Sequence, residues 1–126
     1  MSEQLRGVIV SHAAVAPALV SAVAAITGVE GAFTPVSNEG CDTGALTARL
    51  TAAIDGGPAV VFVDLPGGSC FNGAVRLARG RADVAVVTGV NLAMLVDFVF
   101  HRDLSPDEAA RRAVDAGGKA IRIPPA

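Results

Sequence analysis

Two side chains that can take part in chemistry, His12 and Asp64, each stand at the end of an apolar run. His12 follows the β-branched residues 8–10 and one serine, and Asp64 ends the run PAVVFVD. A carboxylate bonded to one nitrogen of an imidazole fixes its tautomer and leaves the lone pair of the other nitrogen pointing outward. That second nitrogen can attack phosphorus and form a phosphohistidine. If the fold brings the two side chains together, they indicate phosphoryl transfer.

The same two residues also have a structural interpretation, with His12 as a helix cap and Asp64 as a polar strand end. The segment after Asp64 favours the chemical interpretation. Gly67, Gly68 and Ser69 precede a predicted helix, so free backbone N–H groups and the positive end of the helix would face an anion. By itself this signal is weak, because a pair of glycines before a helix is often only a tight turn.

Other chemistries lack their motifs. The glycines are not followed by the lysine of a P-loop, and the first strand–helix turn, SHAAVA, contains none of the glycines of a dinucleotide fingerprint. No G-x-S-x-G elbow of a hydrolase is present. With two histidines and no paired ligand spacing, the sequence predicts no metal site and no cofactor. Cys70 is interpreted as a small packing residue, and His101 as a solvated histidine at a helix end.

Strands and helices alternate along the chain. The alternation predicts four strands, at 8–10, 32–36, 58–64 and 82–91, and five helices, at 15–27, 42–55, 68–79, 92–102 and 106–116. Such a pattern is typical of one α/β domain on a mostly parallel, doubly wound sheet. A flavodoxin-like strand order of 2-1-3-4 would place strands 1 and 3 side by side, so that His12 and Asp64 converge at the switch point.

The end of the chain predicts a fifth, short strand. Gly117-Gly118 is expected to close the last helix, and the following residues 119–123, KAIRI, alternate in polarity. A strand of this length is too short to be stable alone. It is expected to pair with the sheet of a second copy of the chain, which would give a homodimer.

Composition limits the remaining possibilities. The 126 residues form one predicted domain, 1–126, and 52% hydrophobic with 17% charged residues exclude a disordered chain. A net charge of −2 and the absence of Trp and Tyr argue against nucleic acid as a partner.

The apolar segment 7–29 does not have the pattern of a membrane span. It is interrupted by His12 and Pro17, and its hydrophobic pattern changes midway from the period of a strand to that of a helix, which indicates a buried strand and helix. The protein is therefore expected to be cytoplasmic, not inserted in a membrane, with both cysteines reduced.

Three blocks of this sequence resemble a known family. VIVSH, VFVDLPGGSCFNGA and VVTGVNLAMLV are similar, in order and spacing, to the IIA components of the mannose family of the bacterial sugar phosphotransferase system. The similarity covers essentially the whole chain. It implies a phosphocarrier that accepts a phosphoryl group from the protein HPr and passes it to a IIB component. Members of the family are homodimers.

The resemblance also implies roles for individual residues. His12 would carry the phosphoryl group and Asp64 would orient its ring. Gly67, Gly68 and Ser69 would bind the phosphate oxygens, while Ser11 and Asn72 would support the site.

Three positions depart from the family pattern: Ala13 stands where glycine is common, and Cys70 and Ala93 where proline is usual. Alanine at position 13 predicts a turn that avoids positive φ. Two other functions stay open. The chain could be a stand-alone regulatory phosphoreceiver without sugar transport, or a nucleotide-binding module without chemistry.

Overall fold

A single parallel sheet forms the centre of the protein. The structure, a computed structural model, describes residues 4–125, so the two ends of the predicted domain 1–126 lie outside the described residues. The strands are β1 (Arg6–Ser11), β2 (Phe33–Ser37), β3 (Ala59–Val63) and β4 (Val84–Thr88). They are all parallel and lie in the order β2-β1-β3-β4. The predicted α/β class and strand order are therefore confirmed.

Helices cover both faces of the sheet. They are α1 (Val15–Thr27), α2 (Thr43–Ile54), α3 (Gly68–Ala78), α4 (Leu92–Val99) and α5 (Pro106–Ala120). Alternate residues of β1 point into two different cores: Ile9 packs with α1, α4 and α5, whereas Val8 and Val10 pack with α2 and α3. Burial on both sides explains why the central strands are continuous apolar runs.

Side-chain caps begin three of the helices. Asp42 accepts a hydrogen bond from the backbone N–H of Ala45 at the start of α2. Asn91 accepts one from Met94 at the start of α4. At the start of α5, Ser105 Oγ accepts a hydrogen bond from the backbone N–H of Glu108, and the Ser105 hydroxyl donates one to Glu108 Oε1. α4 ends at Val99, earlier than the predicted Arg102, because its last turn tightens into bonds from Phe100 to Asp97 and from His101 to Phe98.

The predicted end of α5 is wrong. The helix runs through Gly117-Gly118 to Ala120, and residues 121–125 form neither helix nor strand in the described chain. Gly117 is buried against α4, where a Cβ would lie 2.5 Å from Met94 Cγ. Its carbonyl accepts a hydrogen bond from Asn91 Nδ2. This glycine therefore serves close helix packing and does not stop the helix, so the predicted strand at 119–123 does not form in the single chain.

Within residues 4–125, none of the helices is both long and apolar enough to cross a lipid bilayer.

Candidate functional site

The carboxyl ends of β1 and β3 bring His12 and Asp64 into contact. The two strands are neighbours in the sheet, with Val10 opposite Val63, so the residues that follow them emerge at the same edge. His12 Nδ1 lies 2.8 Å from Asp64 Oδ2. Because a carboxylate only accepts hydrogen bonds, this contact requires the hydrogen on Nδ1 and leaves the Nε2 lone pair of a neutral ring free.

Asp64 is held by three hydrogen bonds. Oδ2 accepts from the ring and from the backbone N–H of His12, and Oδ1 accepts from the backbone N–H of Leu65. Partial burial raises the pKa of the Asp64 carboxyl, but the hydrogen bonds from His12 and its electrostatic attraction outweigh burial, so the pKa lies below its ordinary value. The Asp64 side chain is 16% exposed, whereas that of His12 is 41% exposed. The carboxylate is thus fixed and ionised, and the ring it orients faces solvent.

The turn after His12 contradicts one expectation from the sequence. Ala13 adopts φ +52°, although its side chain was expected to exclude positive φ. The conformation is held from both sides, because the Ala13 carbonyl accepts a hydrogen bond from Ser37 Oγ and the His12 carbonyl accepts one from Val15 N–H. Neighbouring elements therefore impose on alanine a turn that glycine would adopt freely.

Ser11 connects the end of β1 to the beginning of α1. It is fully buried, and its Oγ accepts a 2.6 Å hydrogen bond from the backbone N–H of Ala16. Ala14, the residue preceding α1, provides no side-chain cap. Ser11 therefore satisfies a free donor of the first turn of α1 and fixes the segment that carries His12.

The amino end of α3 lies beside the His12–Asp64 pair. Gly67 is extended (φ −164°) and provides no side-chain cap, while Gly68 adopts φ +88°. The exposed Ser69 follows, and its Oγ lies 3.5 Å from Asn38 Nδ2. The first N–H groups of α3 are thus not capped by the side chain of the preceding residue, an arrangement that suits a phosphoryl group.

Asn72 is not brought into this site. It is exposed on α3 and lines a shallow groove with Arg76 and Arg79. Among the described residues, no hydrogen bond links it to His12 or Asp64.

Two residues, Cys70 and Asn38, lie nearer to the site than the sequence predicted. Cys70 is fully buried in the core, as a packing residue should be, but its Sγ also lies 3.9 Å from His12 Nδ1. Burial and the charge of Asp64 raise the pKa of its thiol. Asn38 follows β2, and the only available signal was the strand order, which places the loop after β2 at the same edge as His12.

His101 lies at the other end of the sheet. The neighbouring Arg102 carbonyl accepts a hydrogen bond from Leu5 N–H, just before β1 begins. His101 is half-buried, and its Nδ1 lies 2.7 Å from the Asp97 carbonyl oxygen and 3.5 Å from Asp97 Oδ2. It is therefore a paired, structural histidine rather than the solvated one expected from the sequence.

Comparison with known proteins supplies the family. A family model described as the PTS system fructose IIA component matches residues 7–114. The chain belongs to this family.

Relatives of this IIA chain agree with that assignment. The chain is 38% identical, over 74 residues, to the mannose-specific EIIAB component of the PTS of Escherichia coli K12. The matched segment makes up 56% of this chain. The match spans only 23% of that longer protein.

Solved structures of similar proteins share the fold. The mannose/sorbose-specific IIA subunit from Enterococcus faecalis has a TM-score of 0.85 at 24% identity and covers 98% of this chain and 97% of its own. Phosphotransferase system component EIIA from Streptococcus agalactiae has a TM-score of 0.87 at 22% identity, and the match covers 94% of this chain and 96% of that protein's chain.

Proposed function

We propose that the chain is a phosphocarrier of a bacterial sugar phosphotransferase system. It accepts a phosphoryl group on Nε2 of His12 from the phosphohistidine of HPr and passes it to a IIB component. The observation that carries this proposal is the 2.8 Å contact between His12 Nδ1 and Asp64 Oδ2. It leaves the other ring nitrogen free as a nucleophile on a half-exposed side chain.

The transfer is a displacement at phosphorus. The Nε2 lone pair of His12 forms a new P–N bond while the P–N bond of phospho-HPr breaks and its electron pair returns to the HPr imidazole. The His12 ring gains positive charge, which the ionised Asp64 stabilises through the Nδ1 hydrogen bond. The backbone N–H groups of Gly68 and Ser69 would bind the phosphoryl oxygens, with the Ser69 hydroxyl as a further donor.

Partners follow from the same proposal. HPr is the donor and a IIB domain the acceptor, and the names of the matched EIIAB relatives support a IIB acceptor. The carrier would act in the cytoplasm, as a homodimer and without a cofactor.

Phosphorylation by purified components tests the proposal. Incubation with labelled phosphoenolpyruvate, enzyme I and HPr is expected to label the wild type and the His101→Ala variant but not the His12→Ala variant. The label should be labile to acid and stable to alkali, as a phosphoramidate is. Labelling of the His12→Ala variant, or none in the wild type, would reject the assignment.

A second stage separates the alternative functions. Addition of a mannose-family IIB domain should discharge the labelled protein. Stable label in the presence of several such IIB domains would indicate the regulatory phosphoreceiver instead. Nucleotide binding that persists in the His12→Ala variant, with no label taken up by the wild type, would indicate the nucleotide-binding module.

A further inference from the structure

Cys70 makes the His12–Asp64 pair a cluster of three different donor atoms. His12 Nδ1, Asp64 Oδ2 and Cys70 Sγ all lie within 4.8 Å of one another. They come from three segments: the residue after β1, the residue after β3, and the first turn of α3. The chemistry proposed for His12 and Asp64 makes no use of the thiol.

A nitrogen, a carboxylate oxygen and a sulfur are the ligand types that zinc takes in proteins. Tetrahedral zinc with these ligands has ligand–ligand separations of about 3.4–3.6 Å. The Nδ1–Sγ distance of 3.9 Å is close to that value, and the Nδ1–Oδ2 distance of 2.8 Å would open slightly. The His12 side chain is 41% exposed, so its ring has room to tilt and solvent can supply the fourth ligand.

We propose that His12, Asp64 and Cys70 bind a divalent cation that favours sulfur and nitrogen ligands, of which zinc is the type, and that the bound cation blocks phosphorylation of His12. On binding, the Cys70 thiol releases its proton to solvent. The Nδ1 lone pair goes to the metal, so the imidazole proton moves to Nε2. Nε2 then has no lone pair with which to attack phosphorus. The cation and the phosphoryl group therefore compete for the same ring.

The spacing of the three ligands along the chain does not indicate a metal site. The absence of paired ligand spacing led to the expectation of no metal site, but residues 12, 64 and 70 meet only in the folded protein. Packing alone does not require sulfur at position 70, because a small apolar side chain would fill the same core. The other cysteine, Cys41, is not part of the cluster and provides a matched control.

Zinc titration of the full, untagged and reduced protein tests the binding. In competition with a chromophoric chelator, the wild type and the Cys41→Ser variant should bind one zinc per chain. The Cys70→Ser and Cys70→Ala variants should bind at least about tenfold more weakly. Circular dichroism checks that each variant is folded. Two replacements are made at position 70 so that the test still works if one of the two variants does not fold. Equal affinity in a folded Cys70 variant, loss of binding in the Cys41→Ser variant, or no binding to the wild type would overturn the site.

The inhibitory part rests on the proposed function and is tested separately. Phospho-HPr, freed of enzyme I, is mixed with each protein with and without one equivalent of zinc. Zinc should lower the labelling rate of the wild type and of the Cys41→Ser variant at least tenfold, and leave the rate of the Cys70→Ala variant within twofold of its own zinc-free value. A wild type that binds zinc but is labelled at an undiminished rate would refute the inhibition. Absence of labelling without zinc would refute the phosphocarrier function instead, while the binding result stands.

Discussion

At the residue scale, Asp64 has a double effect on His12. Its Oδ2 accepts from both the ring and the backbone of the same histidine, so one carboxylate fixes the turn and the tautomer together. An aspartate that only capped the end of β3 would need no contact with the ring. From this geometry we expect the charge of Asp64, and not just its shape, to be important for the proposed transfer.

Asp64→Asn should therefore fold but transfer slowly. An amide can present N–H to Nδ1 and favour the wrong tautomer, and it cannot stabilise a positively charged ring. By analogy with other histidine–aspartate pairs, the labelling rate from phospho-HPr should fall by ~10²–10⁴. Rapid-quench measurement of label on the wild type and the variant gives this ratio. A near-normal rate would show that Asp64 has only a structural role.

Stability against pH is a control on the same variant. The pKa of Asp64 is lower in the folded chain than its ordinary value of 3.8, so ionised Asp64 stabilises the fold at pH values above 3.8. That contribution is lost as the pH falls through the lower, folded value. The part of the unfolding free energy that depends on ionised Asp64, measured as the difference between the wild type and Asp64→Asn, should shrink as the pH falls below about 4. Urea denaturation at several pH values measures it, and a difference that does not change with pH would argue against the depressed pKa.

The turn beside His12 gives a second prediction at this scale. Ala13 has φ +52°, a conformation that costs an L-residue about 1–2 kcal/mol, whereas glycine loses about 0.5–1 kcal/mol more entropy on folding. Ala13→Gly should thus stabilise the fold by up to about 1 kcal/mol in chemical denaturation. Ala18→Gly, at an exposed position of α1, is the matched control and should destabilise it by about 1 kcal/mol. Equal losses in both variants would contradict the strain at Ala13.

The positions of individual site residues could be predicted from the sequence where the end of a strand determines them. The convergence of His12 and Asp64 follows from strand order alone. The position of Cys70 relative to the ring does not, because it depends on how deep the first turn of α3 packs. The φ angle of Ala13 was also inaccessible, since Ser37, on another strand, helps to hold it.

At the scale of elements, two adjacent glycines of α5 have opposite environments. Gly117 faces Met94 and Asn91 with no room for a Cβ, whereas Gly118 has open space around it. The sequence pattern predicted that this glycine pair ends the helix, and the prediction was wrong because it treated glycine only as a helix breaker. The close contact between α4 and α5 is a tertiary effect that local propensity does not contain.

The two glycines should respond oppositely to alanine. Gly117→Ala forces a Cβ against Met94 and should lower the unfolding free energy by about 1–3 kcal/mol. Gly118→Ala adds a better helix former at an exposed position and should raise it by up to about 1 kcal/mol. Thermal and chemical unfolding of both variants measure the two changes. A stabilising Gly117→Ala would show that α4 and α5 are not in close contact there.

At the scale of the whole molecule, both edges of the sheet, β2 and β4, lack a second neighbouring strand among residues 4–125. The β4 edge has a further feature: a groove of about 660 Å³ lies between β4 and α5, lined in part by residues 84–87 and Val114. Beyond α5, Ile121 and Ile123 are 75% and 96% exposed. A free strand edge and two exposed isoleucine side chains are each unfavourable in water, and a second copy of the chain could cover both.

The predicted homodimer should therefore depend on residues 121–125. A chain that stops after Ala120 should keep α5 intact and be monomeric by light scattering, because the segment that we expect to pair with β4 of the partner is removed. The double variant Ile121→Ser, Ile123→Ser should weaken the dimer at least about tenfold, since it loses the two apolar side chains that the partner would bury. Arg122→Ser, on the other face of the same segment, is the control and should stay dimeric. A monomeric full-length protein would refute the dimer, and a shortened chain that remains dimeric would show that the interface lies elsewhere.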